Sequence, residues 1–301
     1  MSRNILVTGA TGRQGGSLIK TLLASPEASS FQIFALSRNQ RSPAAMKLKE
    51  QGVTTIQGDL NDVPAIFENA ELSKQPLWGV FSVQNPGIRT SGAVEEVKQG
   101  KSLVDAAVGK DVQLFVYASV DRGGTDSSIT PTPVAQFASK HVIEQYLMAK
   151  AGQSMKWVIL RPVTFMENLY PDIQGKTWAS AYKYILKSRP MHLISTSDIG
   201  KVAATVFLHP EKYENTSITL VSEKLTFTDL DKIFKEKTGK PIPTMPWLAF
   251  QAVILGLNQL KIMFQWFPAE PPGIDAEKCR EEWGSMTWEE WVEKESAWKR
   301  T

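Results

Sequence analysis

The sequence predicts an α/β fold, a doubly wound parallel sheet with helices on both faces, followed by a smaller C-terminal lobe. Three observations predict it. Short apolar, β-branched runs alternate with helical stretches through the first half of the chain. A glycine cluster, "GATGRQGG" at 9–16, joins the first of these runs to the first helix. Regular alternation stops after Pro162, where Trp, Pro and loop residues become more frequent. Strand and helix alternating at this pitch imply right-handed crossovers, and therefore parallel strands covered on both sides.

Each element has its own signal. "NILVTG" (4–9) is apolar and β-branched, and "GGSLIKTLLAS" (15–25) places Leu18, Ile19, Leu22 and Leu23 at helical spacing. "FQIFALSR" (31–38), "VTTIQGDL" (53–60) and "LWGVFSV" (77–83) read as the next three strands. A helix over "AVEEVKQGKSLVDAAV" (93–108) leads to the strand "VQLFVYASV" (112–120), and the helix "VAQFASKHVIEQYLMAKAG" precedes the strand "KWVILRP" (156–162). The organisation expected is a nucleotide-binding domain over 1–162, to whose sheet later segments are free to return, and a mixed substrate or partner lobe over 163–301. Neither an internal repeat nor a low-complexity tract interrupts the chain.

Composition narrows the function classes. The chain has 301 residues, 42% hydrophobic and 22% charged, enough for one large α/β domain or a domain with a smaller lobe. A formal charge of +3 comes from scattered basic residues, with no dense Lys/Arg run of the kind that marks a nucleic-acid arm or a polybasic membrane patch. One cysteine, Cys279, excludes an internal disulfide framework and suits a reducing compartment. The apolar stretch of "MSRNILVTG" is too short for a signal peptide. The window 247–267 is strongly apolar, yet Gln251, Asn258, Gln259, Lys261 and Gln265 would be costly in hydrocarbon, so it reads as a buried or groove-lining helix. These features point to a cytoplasmic protein, with the nucleus also open, that binds neither nucleic acid directly nor a membrane.

The glycine cluster carries the first functional expectation. In a strand–turn–helix unit the first glycine permits the tight turn, the second lets backbone approach a pyrophosphate, and the third lets helix pack on strand. The helix N-terminus then offers unpaired N–H groups to phosphate. Gly9, Thr11, Gly12, Arg13, Gln14 and Gly15 are the candidates for this dinucleotide cradle of a Rossmann-type fold. At the end of the second strand, where a preference for NAD usually places an acidic residue, stand Ser37 and Arg38, with Arg41 beyond. A guanidinium matches a 2′-phosphate and stacks on adenine, so the cofactor expected is NADP(H).

The spacing Gly9–Gly12–Gly15 resembles that of the extended short-chain dehydrogenase/reductase superfamily, and "VTGATGRQGG" is similar to the NmrA-like branch of its atypical members. "ALSRN" (35–39), "GDLND" (58–62), "FVYASV" (115–120), "RPVTFMEN" (161–168), "STSDIGK" (195–201) and "TWEEWVEK" (287–294) fall, in order, where that family has comparable segments. The resemblance implies that Asp59 and Leu60 lie beside the adenine, although Asp59 serves equally as a turn or helix cap before "NDVPAIF". Val83, Gln84 and Asn85, ending the fourth strand, should approach the nicotinamide, while Asn85 is explained as well by an Asn-Pro-Gly turn. Pro162 and Phe165 should line the nicotinamide pocket, and Met166 suits core packing equally.

Reductases of this superfamily typically use Tyr-x-x-x-Lys on one helix face. Here Lys140 is present, but Gln136 stands where the tyrosine would be. Lys140 is the candidate at the cofactor ribose and the candidate catalytic residue, as in isoflavone-reductase-like relatives that lack the tyrosine and are assigned a lysine as acid or base. The alternative is a substrate that needs no enzymic proton donor, such as a quinone or an activated iminium. Ser119, near the end of the fifth strand, is a candidate polar helper, and Tyr117, deeper on the same face, reads as core. His141 points about 100° away around the helix and receives no role. No Cys/His cluster has metal spacing.

The loop "DRGGTDSSITPTP" (121–133) is rich in Gly, Ser and Thr and reads either as a flexible lid or as a loop without function. Asp198 reads as a helix cap, Thr287 and Glu290 as a capping box, and Trp288, Trp291 and Trp298 as anchors on the last helix. The many aromatic and aliphatic side chains after Pro162 suit a small apolar organic substrate beside the nicotinamide. They suit a regulatory protein partner as well, which would make the chain an NADPH/NADP redox sensor of the kind NmrA-like regulators are believed to be.

Overall fold

The computed structural model describes residues 2–84, 90–129, 132–152, 154–267 and 271–298. The first half runs β1 (Arg3–Val7), α1 (Arg13–Ala24), β2 (Phe31–Ser37), α2 (Pro43–Glu50) and β3 (Thr54–Gln57). Two short helices follow, α3 (Val63–Phe67) and α4 (Ala70–Ser73), then β4 (Gly79–Ser82), α5 (Thr90–Gly109), β5 (Leu114–Ala118), α6 (Ala135–Ala151) and β6 (Lys156–Pro162). Next come β7 (Thr164–Phe165), α7 (Ile173–Ala181), β8 (Met191–Ile194), α8 (Thr196–Leu208), β9 (Thr216–Leu220) and β10 (Glu223–Leu225). The chain closes with α9 (Phe227–Thr238), α10 (Trp247–Leu255), α11 (Asn258–Trp266), α12 (Ala276–Trp283) and α13 (Trp288–Lys294).

Seven strands make one sheet in the order β3-β2-β1-β4-β5-β6-β9, and β10, β8 and β7 make a second. From β3 to β6 every adjacent pair is parallel. The strand order reverses direction between β1 and β4, so the loops after these two strands diverge and leave a crevice at their C-terminal ends. The expected doubly wound parallel sheet is therefore present, with each of the six anticipated strands in place.

The chain divides into two compact units. The first comprises Met1–Val120, Ser139–Arg161 and Ile199–Ile218, and holds the parallel sheet. Its core is apolar because strands buried on both faces admit little else: Leu6, Phe34, Ile56, Val80, Phe115 and Ile159 meet Leu103, Val104, Ile143 and Leu147 from α5 and α6. The second unit comprises Asp121–Ala138, Pro162–Asp198 and Thr219–Thr301. Its core is aromatic, with Trp288 and Trp291 fully buried and stacked, their ring centroids 5.1 Å apart.

Three local expectations change in the second unit. The window 247–267 is two helices, α10 and α11, bent by 108° at Gly256–Leu257. Leu257 leaves the helical region (φ −116°, ψ 53°) and the Gly256 N–H turns back to the carbonyl of Val253, which ends α10. Phe250, Ile254, Met263 and Phe264 are buried, but Leu248 and Leu255 are about four-fifths exposed (80% and 81%), so α10 is buried along one face only. Among the described residues no single helix is long and apolar enough to cross a membrane. Asp198 is not the cap of α8. Ser195 holds that position, its Oγ accepting the Asp198 N–H at 3.0 Å and donating to the Asp198 carboxylate at 2.6 Å. The last helix ends at Lys294, so Trp298 anchors from beyond it, its Nε1 donating to the carbonyl of Leu169 at 2.9 Å. The Thr287–Glu290 capping box forms as expected.

Lys187 stores strain. It follows a widened helical turn at Tyr182–Leu186 and sits at φ 58°, ψ −112°, while the Arg189 N–H closes the turn on the Leu186 carbonyl at 3.0 Å. That is the first central position of a type II′ turn, where a side chain is disfavoured and glycine is at ease. Lys187→Gly is expected to stabilise the protein by about 1 kcal/mol. A thermal melt showing an unchanged or lower midpoint would contradict the assignment.

Candidate functional site

The glycine turn is built by three close contacts. Buried Thr8 staples the end of β1 to the end of β4: its Oγ1 accepts the Val83 N–H at 2.7 Å and donates to the Val83 carbonyl at 3.0 Å. Gly9 turns the chain with φ 58°, and its carbonyl accepts the Gly12 N–H at 2.9 Å. A methyl group on Gly15 would lie only 2.5 Å from that same carbonyl oxygen, so α1 can begin where it does only with glycine at this position. No side chain caps α1 at Gly12, and its first turn holds no acidic residue. The backbone N–H groups that open α1 have no acceptor within the helix and can serve a ligand from outside, with the positive end of the helix dipole behind them. Thr11 is exposed at the tip of the turn. The buried Oε1 of Gln14 has no hydrogen-bond partner among the described residues.

The end of β2 forms the next part of the rim. Ser37 folds its hydroxyl onto the backbone of Asn39, donating to the carbonyl at 3.0 Å. Arg38 and Arg41 are both exposed, and among the described residues neither guanidinium has an ion-pair partner. At the end of β3 the local cap is realised: Asp59 Oδ1 accepts the Asn61 N–H at 2.9 Å and opens a short turn at Leu60–Asp62. Leu60, half-buried, packs against the apolar core of the first unit.

Across the switch point lie the ends of β4 and β5. A methyl on Gly9 would sit 3.2 Å from Val83 Cβ, so the turn and β4 are in direct contact, and Ser82 pairs in register with Tyr117 of β5. Gln84 is buried. Its Nε2 donates to Ser82 Oγ at 2.8 Å, while its Oε1 has no partner among the described residues. Asn85 lies outside the described residues. Tyr117 is wholly buried, as expected of a core residue, and Lys140 Nζ stands 5.9 Å from its ring centroid. Gly9 thus meets Val83 beyond β4, Ser82 meets Tyr117 of β5, and Lys140 reaches towards the Tyr117 ring from α6.

Two buried carboxylates behind this edge were not foreseen. Glu96 of α5 accepts from Ser139 Oγ on one oxygen and from Lys140 Nζ, at 2.7 Å, on the other. Glu144, one turn beyond Lys140, pairs with Arg161, whose Nε and Nη2 donate at 3.2 and 2.8 Å, and also accepts the hydroxyl proton of Ser119. The Ser119 hydroxyl proton is thereby committed to a buried carboxylate. As a polar helper Ser119 can accept a hydrogen bond through its lone pairs but cannot donate one. An Arg near the end of a strand and a Glu on the preceding helix give no local pattern, so only the fold reveals the pair.

In the second unit, Pro162 is buried with its carbonyl accepting the Asp121 N–H at 3.0 Å, and Phe165 is half-buried on β7. Met166 is a core residue. Gln136, at the position of the usual tyrosine, donates from Nε2 to Met263 Sδ of α11 at 3.1 Å. The loop read either as a flexible lid or as a loop without function is, over its described residues 121–129, internally fastened. Asp121 collects the N–H groups of Gly123 and Gly124 and the Ser127 hydroxyl, Arg122 Nη2 donates to the Ser127 carbonyl at 2.6 Å, and Thr125 N–H reaches the carbonyl of Pro272 at 3.0 Å. Asp121, Arg122 and Ser127 turn inward, which is why a stretch so rich in Gly, Ser and Thr is held here as one packed turn.

A strand order that reverses at β1/β4, with a glycine turn at the reversal, defines a nucleotide-binding type of α/β protein. The chain matches the NmrA-like family over residues 1–292 and belongs to that family. An NmrA-like family domain-containing oxidoreductase of Cladobotryum sp., FrzB, is 30% identical over 312 residues, covering 90% of this chain and 88% of that protein. Among solved structures, the triphenylmethane reductase of Citrobacter sp. complexed with NADP(H) has a TM-score of 0.72 at 21% identity, covering 95% of this chain and 98% of its own. NmrA, a negative transcriptional regulator solved with NADP, has a TM-score of 0.68 at 21% identity over 98% of this chain and 95% of its own. Both share the fold described above.

Within the family segment "RPVTFMEN", Glu167 is buried and accepts the Thr196 N–H and hydroxyl and the Trp291 indole N–H. Burial raises its carboxyl above the ordinary range, against the lowering effect of those hydrogen bonds. The folded state therefore holds this proton more tightly than the unfolded chain, so the stabilisation is complete below the ordinary carboxylate range and is lost as pH rises through the raised folded-state value. Glu167→Gln, which cannot ionise, is expected to gain stability relative to wild type as pH rises across that window. Urea melts of both proteins check this, and a stability difference independent of pH would contradict it.

Proposed function

We propose that this chain is an NADP(H)-dependent oxidoreductase that reduces a small apolar organic substrate, with Lys140 serving where related reductases use a tyrosine–lysine pair. The observation that carries it is the sequence of neighbours from the glycine turn to Val83, from adjacent Ser82 to Tyr117 of β5, and from the Tyr117 ring to Lys140 of α6, 5.9 Å away. The residues present fit a dinucleotide. Gly9 packs against Val83 and Gly15 against the Gly9 carbonyl with no room for a methyl, which seats the start of α1 at the turn, and the first N–H groups of α1 have no side-chain cap. Gln14 and Gln84 each hold a buried carbonyl oxygen in need of a donor. Arg38, exposed and without an acidic partner among the described residues, suits a 2′-phosphate, and no carboxylate takes its place at the end of β2 to favour a 2′-hydroxyl.

When bound, the nicotinamide supplies the reducing electron pair. Lys140 brings the donors: its ammonium has three N–H groups, Glu96 takes one, and two remain for a ribose hydroxyl and a substrate oxygen. Ser119 supplies lone pairs alone, and Gln136 has no acidic proton to give, so of these three only Lys140 can release one. A substrate whose reduced form needs little protonation, such as a quinone or an activated iminium, suits such a site. The aromatic side chains of the second unit, Trp178 against Phe264 and Phe137 against Trp266, suit an apolar molecule.

The test is NADPH consumption with a panel of quinones, enones and cationic dyes. At least one acceptor should be turned over, and Lys140→Met should lower its kcat by at least about a hundredfold. Arg38→Ala should weaken NADPH by about tenfold and leave NADH nearly unchanged. Full activity in Lys140→Met would remove the lysine from the chemistry. Tight NADPH binding with no acceptor consumed would replace the enzyme by a nucleotide sensor acting through a protein partner.

A further inference from the structure

Behind Lys140, α5, which carries no recognised motif, meets α6. α5 approaches α6 so closely that a methyl on Gly100 would lie 2.5 Å from Cδ1 of Ile143. One turn nearer the N-terminus of each helix stand Glu96 and the Ser139–Lys140 pair, and the same close approach brings them into contact. The Glu96 side chain is wholly buried, while that of Lys140 keeps 15% of its surface exposed. Both oxygens of the carboxylate are engaged, one by Ser139 and one by Lys140. A buried carboxylate left without its cation would be costly, so the pair resists opening.

That geometry has a consequence for the ammonium. A lysine stem has four rotatable bonds and samples many rotamers unless something confines it. Lys140 has Glu96 at 2.7 Å and the buried Tyr117 ring 5.9 Å from its Nζ, and the remaining open fraction of its side chain is the part a ligand can reach.

We propose that Glu96 is a positioning residue for the nicotinamide half of the cofactor: its buried carboxylate fixes where Lys140 presents its remaining N–H groups. The role rests on the NADP(H) site proposed above. Glu96 acts entirely through Lys140 and touches neither cofactor nor substrate. Gly100 belongs to the same device, because a larger residue there would separate α5 from α6 and draw the carboxylate away.

Calorimetric titration with two probes tests this. NADPH reports the whole site, and adenosine 2′,5′-diphosphate reports only the adenosine half with its 2′-phosphate. Glu96→Gln is expected to weaken NADPH by about tenfold and to leave adenosine 2′,5′-diphosphate within about twofold. In a Lys140→Met background the Glu96→Gln change should add nothing, because its route to the ligand is gone. Glu96→Asp keeps the charge but withdraws it by one methylene, and should give a smaller loss in the same direction; it serves should the Gln variant not fold. Unchanged NADPH affinity, parallel losses on both probes, or an undiminished loss in the Lys140→Met background would each overturn the positioning role. A wild-type protein that binds neither probe would overturn the nucleotide site itself, and the role of Glu96 with it.

Discussion

The structure depends on one close approach, that of the Gly15 backbone to the carbonyl of Gly9. It sets where α1 begins, and a single methyl at 2.5 Å would forbid it. With α1 seated there, its uncapped N–H groups open at the point where the strand order reverses. Thr8 then ties the turn to Val83, so the turn is held by the sheet as well as by its own hydrogen bond. The positive end of a helix dipole, bare backbone and a rigid strand end are thus gathered in one place by local sterics. Every further feature of the site is arranged around that point.

The second constraint is the pair of buried carboxylates that fix α6. Glu144 binds the helix to β6 through Arg161, and Glu96 binds it to α5 through Ser139 and Lys140. Buried ion pairs contribute little net stability, because desolvation offsets much of the attraction, yet removing one partner is costly. Their effect here is on placement. They hold Lys140 in register with the ends of β4 and β5, and they decide that Ser119 accepts hydrogen bonds while Lys140 donates them. Gln136 is bound to a methionine, Met263, while Lys140, one turn on, is held by Glu96.

How much of this is legible in the sequence follows from the range of each interaction. The six parallel strands, the glycine turn and the Thr287 capping box can be read because each is written within a few consecutive residues. The break in 247–267 cannot, because hydropathy is uniform across it, and only the departure of Leu257 from helical backbone separates α10 from α11. Asp198 resembles a cap because the true cap, Ser195, lies in the same short polar run. The loop at 121–129 is mobile by composition, but Asp121 and Arg122 turn inward and fasten it. Glu96 is invisible for a different reason: its partners are some forty residues away on another helix (|i−j| of 43 and 44), and the sole local hint is a glycine one turn later.

The most direct measurement is a fluorescence titration of NADPH into the wild-type chain and into Gly15→Ala, with the fold of both checked by circular dichroism. The wild type should bind saturably, and the variant should keep its secondary structure while losing NADPH by at least about a hundredfold, since α1 can no longer seat its N–H groups against the turn. Equal affinity in the two proteins would contradict the claim that this glycine contact builds the site.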